Sequence, residues 1–168
     1  MNFDEAIVKV LMGEGGFVNH PNDYGKATNF GITQATLSAY RKSPASVDDV
    51  RNLSSDEAKT IYRKWYWCAN KCNLLPKEIR GQFFDMCVNS GGSAATSLLQ
   101  RAINALGGHL TVDGGIGPLT IQAALDHRTG LNEEFSNQRE AWYRRVAQNN
   151  PSQAVFLQGW LNRVAKWR

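Results

Sequence analysis

Apolar residues at helical spacing, stopped by pairs of glycines, are the feature that most constrains the fold of this chain. Near the N-terminus they recur at the three- and four-residue steps of one helix face, which comprises Phe3, Ile7, Val10 and Leu11. The same spacing runs over 94–106 and stops at Gly107 and Gly108. Because glycine commonly follows the last residue of a helix, the chain is predicted to be mainly α.

Residues 17–33 lack this pattern and are rich in Asn, Asp, Gly and Pro, which is typical of a loop or a small β-hairpin. Thr33 is expected to cap the following helix, and Ser54 with Glu57 forms a capping-box pattern that opens a helix over 55–67. Further helices are predicted over 79–88, 94–106, 118–127, 133–148 and 152–168. The last of these is expected to turn an apolar face to the core, made of Phe156, Trp160, Leu161 and Val164.

The size and charge of the chain narrow its class. With 168 residues it suits one domain, and no apolar stretch approaches the roughly 20 residues of a membrane helix. Its N-terminus looks like a first folded helix rather than a signal peptide, since Lys9 interrupts the apolar run. We therefore expect synthesis in the cytoplasm and no stable membrane insertion. The net charge of +4 is evenly spread, which argues against nucleic-acid binding and mildly favours polyanionic surfaces.

Cysteine and histidine usage does not indicate a metal or redox site. The three cysteines match neither a C-x-x-C motif nor a repeated zinc pattern, and are expected to be reduced: Cys68, Cys72 and Cys87. The three histidines are far apart in sequence: His20, His109 and His127. We predict no metal and no cofactor.

Glu14 is the residue whose position most suggests chemistry. It lies four residues after Val10 and three after Leu11, so it continues an apolar face on which a carboxylate is out of place. The negative end of the helix dipole and burial both disfavour a charged carboxylate, and both effects should raise its pKa. A carboxyl group that stays protonated near neutral pH is what general-acid cleavage of a glycosidic bond requires. The alternative is an exposed or capping residue.

Asp23 and Thr28 follow on the adjoining loop. A second carboxylate and a hydroxyl are suited to orienting a water molecule or to stabilising positive charge on a sugar. In its sequence PNDYGKA, however, Asp23 is equally suited to forming a turn.

These segments resemble a known family. EGGFVNHPNDYGKATNFGITQ is similar to the N-terminal signature of glycoside hydrolase family 108, the lysozyme-like N-acetylmuramidases of phage endolysins and prophages. The segments FDMCVNSGGSAATSLLQRAINALGG, VDGGIGPLT and FLQGWLNRV resemble the predicted peptidoglycan-binding region that usually follows in that family. Together the four segments run from residue 14 to residue 164 in the family's order.

The resemblance implies a lysozyme-like, two-lobed helical fold with a catalytic lobe over 1–84 and a peptidoglycan-binding-like lobe over 85–168. It also implies hydrolysis of the β-1,4 bond between N-acetylmuramic acid and N-acetylglucosamine, and no cofactor. Glu14 would be the proton donor, with Asp23 and Thr28 similar in order to assisting residues of phage lysozymes. Four further residues are expected to contact the substrate: Tyr24, Asn29, Gln34 and Asn89.

The resemblance further implies an endolysin that causes host cell lysis. We expect a monomer that stays in the host cytoplasm until a holin opens the inner membrane and admits it to peptidoglycan in the periplasm. Two alternatives remain open from the sequence. A lytic transglycosylase would use a single catalytic glutamate, and a peptidoglycan-binding protein would keep the fold without turnover.

Overall fold

The computed structural model describes residues 1–12, 15–19 and 27–168. The chain divides into two compact units, one of residues Phe3–Ala69 and one of Met1–Asn2 with Asn70–Arg168. Both are built mainly from helices, and a single antiparallel strand pair is described near the predicted loop. The predicted mainly α class with a small β element is confirmed.

In the described residues of the first unit there are four α-helices and the strand pair. The helices are α1 (Phe3–Leu11), α2 (Gln34–Arg41), α3 (Val47–Arg51) and α4 (Ser55–Tyr62), and a π-helical segment, Arg63–Cys68, continues α4. The strands are β1 (Thr28–Asn29) and β2 (Ile32–Thr33). Its core consists of apolar side chains from each helix and from β2, including Ile7, Val10, Ile32, Leu37, Val50 and Ile61.

The hairpin between β1 and β2 is as tight as a hairpin can be. Thr28 pairs with Thr33 and Asn29 with Ile32, so Phe30 and Gly31 alone make the turn. Both have positive φ, 51° and 73°, which is the signature of a type I′ turn. A phenylalanine rarely adopts this conformation, and here the Tyr62 hydroxyl donates a 2.9 Å hydrogen bond to the Phe30 carbonyl.

The helix starts of the first unit follow from local hydrogen bonds. The predicted cap is confirmed, because the Thr33 hydroxyl accepts from the Thr36 amide. The Ser54 hydroxyl likewise accepts from the Glu57 amide. The second hydrogen bond of the predicted capping box, from the Ser54 amide to the Glu57 carboxylate, is wrong. Both carboxylate oxygens of Glu57 instead accept from Arg41, at 2.9 and 2.8 Å. The charged partner competes successfully because a bidentate ion pair is stronger than a bond to a backbone amide.

The second unit contains five α-helices. They are α5 (Arg80–Ser90), α6 (Gly92–Ala105), α7 (Pro118–Asp126), α8 (Leu131–Asn149) and α9 (Leu157–Ala165), with 3-10 segments at Cys72–Leu74 and Pro151–Phe156. Pro118 occupies the first turn of α7, as predicted. All three cysteines are free in the structure, with Cys72 and Cys87 buried and Cys68 exposed. No helix in the described part of the chain is long and apolar enough to cross a membrane.

The last predicted helix is partly wrong. Its first six residues, Pro151–Phe156, form a 3-10 segment, and only Leu157–Ala165 is α-helical. The change of helical period turns Phe156 away from the core. The residue is 57% exposed. Val164 is fully buried, in agreement with the prediction.

A buried ion cluster fixes three helices of the second unit. Asp85 of α5 accepts from Arg139 of α8 at 2.6 Å and from Arg163 of α9 at 2.8 Å. Asp85 and Arg139 are almost completely buried, and the Arg163 side chain is 21% exposed. Two cations on opposite carboxylate oxygens therefore neutralise a charge that would otherwise be costly to bury.

Candidate functional site

The predicted site residues fall into three groups in the structure. Glu14, Asp23 and Tyr24 lie outside the residues that the structure describes. Thr28, Asn29 and Gln34 lie in the first unit, on the strand pair and at the start of α2. Asn89 lies in the second unit, near the end of α5.

A groove of about 350 Å³ in the first unit is lined by residues that flank Glu14 in the sequence. Val8, Leu11 and Met12 contribute to it from α1 and the residue after it, and Gly15 and Gly16 line it directly after residue 14. The Met12 side chain is 82% exposed. An exposed apolar wall of this kind suits the carbon-rich face of a sugar ring, and it also disfavours the charged form of a carboxyl group beside it.

Phe30 lines the same groove and is a residue that the sequence analysis missed. The turn holds it at positive φ, with its carbonyl fixed by Tyr62. Backbone strain of this kind is often kept at functional sites, where the surrounding structure compensates for it. The available signal was an aromatic residue directly before a glycine, inside a segment otherwise made of turn-forming residues.

The backbone of Thr28 is held by a neighbouring segment on each side. Its amide and carbonyl exchange hydrogen bonds of 2.9 and 2.8 Å with Val18, and its other neighbour in the sheet is Thr33. The side chain is half-buried. Its main chain is therefore held between two partners, which is what a precisely placed hydroxyl requires.

Asn29 and Gln34 use their amide nitrogens inside the protein. The Asn29 Nδ2 atom donates to the carbonyls of Val50 and Arg51, each at 3.1 Å, and the residue is only 6% exposed. The Gln34 Nε2 atom donates to the Ala45 carbonyl at 2.7 Å. Both amides thus join the hairpin region to the segment around α3. Any contact of these two side chains with substrate has to use their carbonyl oxygens.

Two carboxylates of the first unit are unsuited to act as a general acid. The Arg41 guanidinium bonds to Glu57 and Asp49, with N–O distances of 2.8 Å in both pairs. The hydrogen bond from Arg41 lowers the pKa of Glu57, and hydrogen bonds from Ser46 and the nearby Arg41 lower the pKa of Asp49. A proton donor needs a raised pKa, so this cluster is a structural ion pair.

Asn89 lines a different cavity, of about 250 Å³, in the second unit. Its Oδ1 atom accepts a 2.8 Å hydrogen bond from the Tyr143 hydroxyl and a 3.1 Å bond from Ser90. Trp142 and Trp160 also line this cavity. Within residues 1–12, 15–19 and 27–168, no group of three or more His, Cys, Asp or Glu side chains is arranged to hold a metal ion.

Comparisons with known proteins bear on both units. Residues 7–91 match the family model described as Glycosyl hydrolase 108, and residues 94–165 match the model described as Predicted Peptidoglycan domain. The solved structure of SagA from Brucella abortus is 32% identical, covers 98% of this chain and 90% of its own, and superposes with a TM-score of 0.80. No curated protein sequence matches the chain.

Proposed function

Since this chain belongs to the glycosyl hydrolase 108 family, it is a glycoside hydrolase acting on peptidoglycan, and we propose that Glu14 is its general acid. The supporting observation is the groove of the first unit, which begins at Gly15, the residue after Glu14. An apolar wall disfavours the charged form of a carboxyl group that packs against it. The other supports are the spacing of Glu14 in the sequence, which continues the apolar pattern of Val10 and Leu11, and the low pKa of the Arg41-bound carboxylates.

The proposed reaction is hydrolysis of the β-1,4 bond between N-acetylmuramic acid and N-acetylglucosamine. Glu14 donates its proton to the glycosidic oxygen, which makes the departing sugar a neutral alcohol. Asp23 and Thr28 assist, the carboxylate by stabilising positive charge on the sugar and the hydroxyl by orienting water. The support for Thr28 is its main chain, which is held on one side by Val18 and on the other by Thr33.

Four side chains are proposed to contact the substrate: Tyr24, Asn29, Gln34 and Asn89. For Asn29 and Gln34, the contact runs through the carbonyl oxygen, because their amide nitrogens are bonded within the protein. We assign catalysis to residues 1–84 and peptidoglycan binding to residues 85–168. The match of residues 94–165 to a predicted peptidoglycan domain supports the second assignment.

The test of Glu14 is a lysis assay on purified cell walls with matched variants. Glu14→Gln keeps the size of the side chain but removes the acidic proton, so we expect turbidity clearance to fall about 10²- to 10⁴-fold. Glu133→Gln, an exposed carboxylate in the first turn of α8, should retain full activity. Circular dichroism and a melting curve check that both variants fold. Full activity of folded Glu14→Gln would refute the assignment.

We also propose that the protein is a phage or prophage endolysin, a monomer that waits in the host cytoplasm for a holin. The support is the similarity of its EGGF segment to those of phage and prophage endolysins. Expression in a Gram-negative host should cause lysis only when a holin is co-expressed, because the bond that is cut lies outside the inner membrane. Equal lysis without the holin, and with the membrane otherwise intact, would contradict this role.

A further inference from the structure

The second unit contains an aromatic pocket around Asn89, the residue of this unit that is proposed to contact the substrate. Its volume is about 250 Å³, and its lining comes from four elements: the end of α5, α8, the 3-10 segment Pro151–Phe156 and α9. Pockets for drug-sized ligands begin at roughly 300 Å³. A pocket of this size is therefore suited to one sugar ring or a group of similar dimensions.

Three aromatic rings form one side of the pocket. Tyr143 stacks on Trp160 with centroids 5.2 Å apart and planes inclined by 22°, and Trp142 meets Tyr143 edge-on at 5.0 Å. Tyr143 is buried, whereas Trp142 and Trp160 are only half-buried. The buried ring thus supports two indole rings that remain partly accessible. Phe156 extends this surface, since its ring lies 6.1 Å from Trp160 and its side chain is 57% exposed.

Two amides complete the pocket. The Asn89 Oδ1 atom accepts from Tyr143 and Ser90, which directs the Nδ2 atom to act as donor elsewhere. In the part of the chain that the structure describes, neither Asn89 Nδ2 nor the Gln153 side-chain amide has a hydrogen-bond partner. Both residues line the cavity. They offer donor and acceptor groups beside an aromatic surface.

We propose that this pocket binds an N-acetylated amino sugar of the peptidoglycan glycan strand. Aromatic rings pack against the C–H face of a pyranose, while side-chain amides suit its hydroxyl and acetamido groups. None of the described lining residues carries a charge. This favours a neutral sugar ring over the carboxylate-bearing peptide stem, because a buried carboxylate without a cationic partner is costly.

The inference deepens the proposed function, because it rests on peptidoglycan being the substrate and identifies where the second unit contacts it. Trp142, Tyr143, Gln153 and Trp160 all fall within residues 94–165, the range that matches a predicted peptidoglycan domain. The pocket would hold the enzyme on the glycan and would take no part in bond cleavage. Loss of this binding and loss of Glu14 chemistry are therefore separate events.

The test measures binding of the full chain to insoluble peptidoglycan by co-sedimentation, in a Glu14→Gln background so that the wall is not consumed. Gln153→Ala and Trp160→Leu should each weaken binding about tenfold or more, which corresponds to about 1.4 kcal/mol. Gln148→Ala, which changes an exposed glutamine of α8, is the matched control and should bind as strongly as the parent. Melting curves establish that each variant is folded. Gln153→Ala carries the test if Trp160→Leu does not fold.

Competition tests whether the chain recognises the sugar part or the peptide part of the wall. A soluble N-acetylglucosamine tetramer should displace the protein from the wall, and free peptide stem should not. Displacement by the peptide alone, or unchanged binding of folded Gln153→Ala and Trp160→Leu, would overturn the inference. These outcomes are distinct from failure of the proposed function, which would appear as intact walls after treatment with the wild-type chain.

Discussion

At the scale of single residues, Asn29 combines a proposed substrate contact with a structural role. Its buried amide donates to the last carbonyls of α3, those of Val50 and Arg51, and so joins that helix to β1. When a buried carbonyl loses a hydrogen-bond donor and cannot bind water instead, the folded state is destabilised by the desolvation penalty of that carbonyl. The position therefore reports on stability as well as on activity.

Asn29→Ala should lower the free energy of unfolding by about 1–3 kcal/mol, because it removes two hydrogen bonds that join β1 to the end of α3. Asn52→Ala changes an exposed asparagine directly after α3 and should stay within about 0.5 kcal/mol of the wild type. Urea unfolding of the two variants measures the difference. Equal stabilities would show that the Asn29 amide does not hold α3.

The sequence was informative about residues that act locally and less so about those that act across the fold. Thr33 and Pro118 begin helices as predicted, because a cap depends only on its immediate neighbours. The partner of the Glu57 carboxylate is instead Arg41, which lies 16 positions away in the sequence and is brought near by folding. The anchoring of Asn29 to Val50 was inaccessible for the same reason.

At the scale of elements, Arg41 joins α2 to the helices that follow it. It contacts Glu57 of α4 through two hydrogen bonds and Asp49 of α3 through one. The Arg41 and Glu57 side chains are 31% and 27% exposed, so solvent screens their attraction only in part. The arrangement is a small network rather than an isolated surface pair, and networks of this kind contribute more reliably to stability.

Glu57→Gln should reduce the free energy of unfolding by about 1 kcal/mol at neutral pH. Because the pKa of Glu57 is lowered in the folded state, its contribution is present above the unfolded pKa of about 4.3 and is lost as pH falls through the folded value. The difference between variant and wild type should therefore shrink below about pH 4.

Denaturant unfolding at several pH values between neutral and acid measures this dependence. The matched control is Asp56→Asn, which alters a 93% exposed carboxylate in the same helical turn and should have little effect at any of them. A Glu57→Gln effect of constant size across this range would contradict the lowered pKa.

The sequence pattern does not predict helix α3, because the helix is too short to show a repeat of apolar residues. It is five residues long, and only Val50 is buried. Its start is nevertheless encoded, since Ser46 and Asp49 form a capping box, with aspartate at the position where glutamate is more usual. The 3-10 segment Pro151–Phe156 was misread for the opposite reason, because its apolar residues resemble a helix face although Val155 and Phe156 are exposed.

At the scale of the whole molecule, the second unit depends on one buried charge. Asp85 faces Arg139 and Arg163, which come from helices 54 and 78 positions further along the chain. Asp85→Asn would leave Arg139 without a counter-ion at a position with no solvent exposure. The unit is expected to tolerate this change poorly.

Asp85→Asn should lower the free energy of unfolding by about 3–5 kcal/mol. The exposed Asp126 at the end of α7 provides the control, and Asp126→Asn should remain close to the wild type. Thermal melts followed by far-ultraviolet circular dichroism are sufficient to separate effects of these sizes. A near-native melting temperature for Asp85→Asn would show that the cluster can be opened to water at little cost.

The class, the family and most helix positions followed from the sequence, because each is determined by short patterns. The aromatic pocket did not, although FLQGWLNRV was recognised as a family segment. Trp142, Gln153 and Trp160 are scattered over 19 positions and converge only when α8 and α9 pack together. The groove of the first unit was likewise inaccessible, since Phe30 lines it through a turn of unusual backbone conformation.

Mass spectrometry of the fragments released from purified peptidoglycan, after borohydride reduction, tests the central claim most directly. The wild type should release glycan fragments that end in reduced N-acetylmuramic acid, and folded Glu14→Gln should release none. Fragments ending in anhydro-muramic acid would instead assign the protein to the lytic transglycosylases. Identical fragments from the two proteins would contradict the role of Glu14, and intact walls after treatment with the wild type would contradict hydrolysis itself.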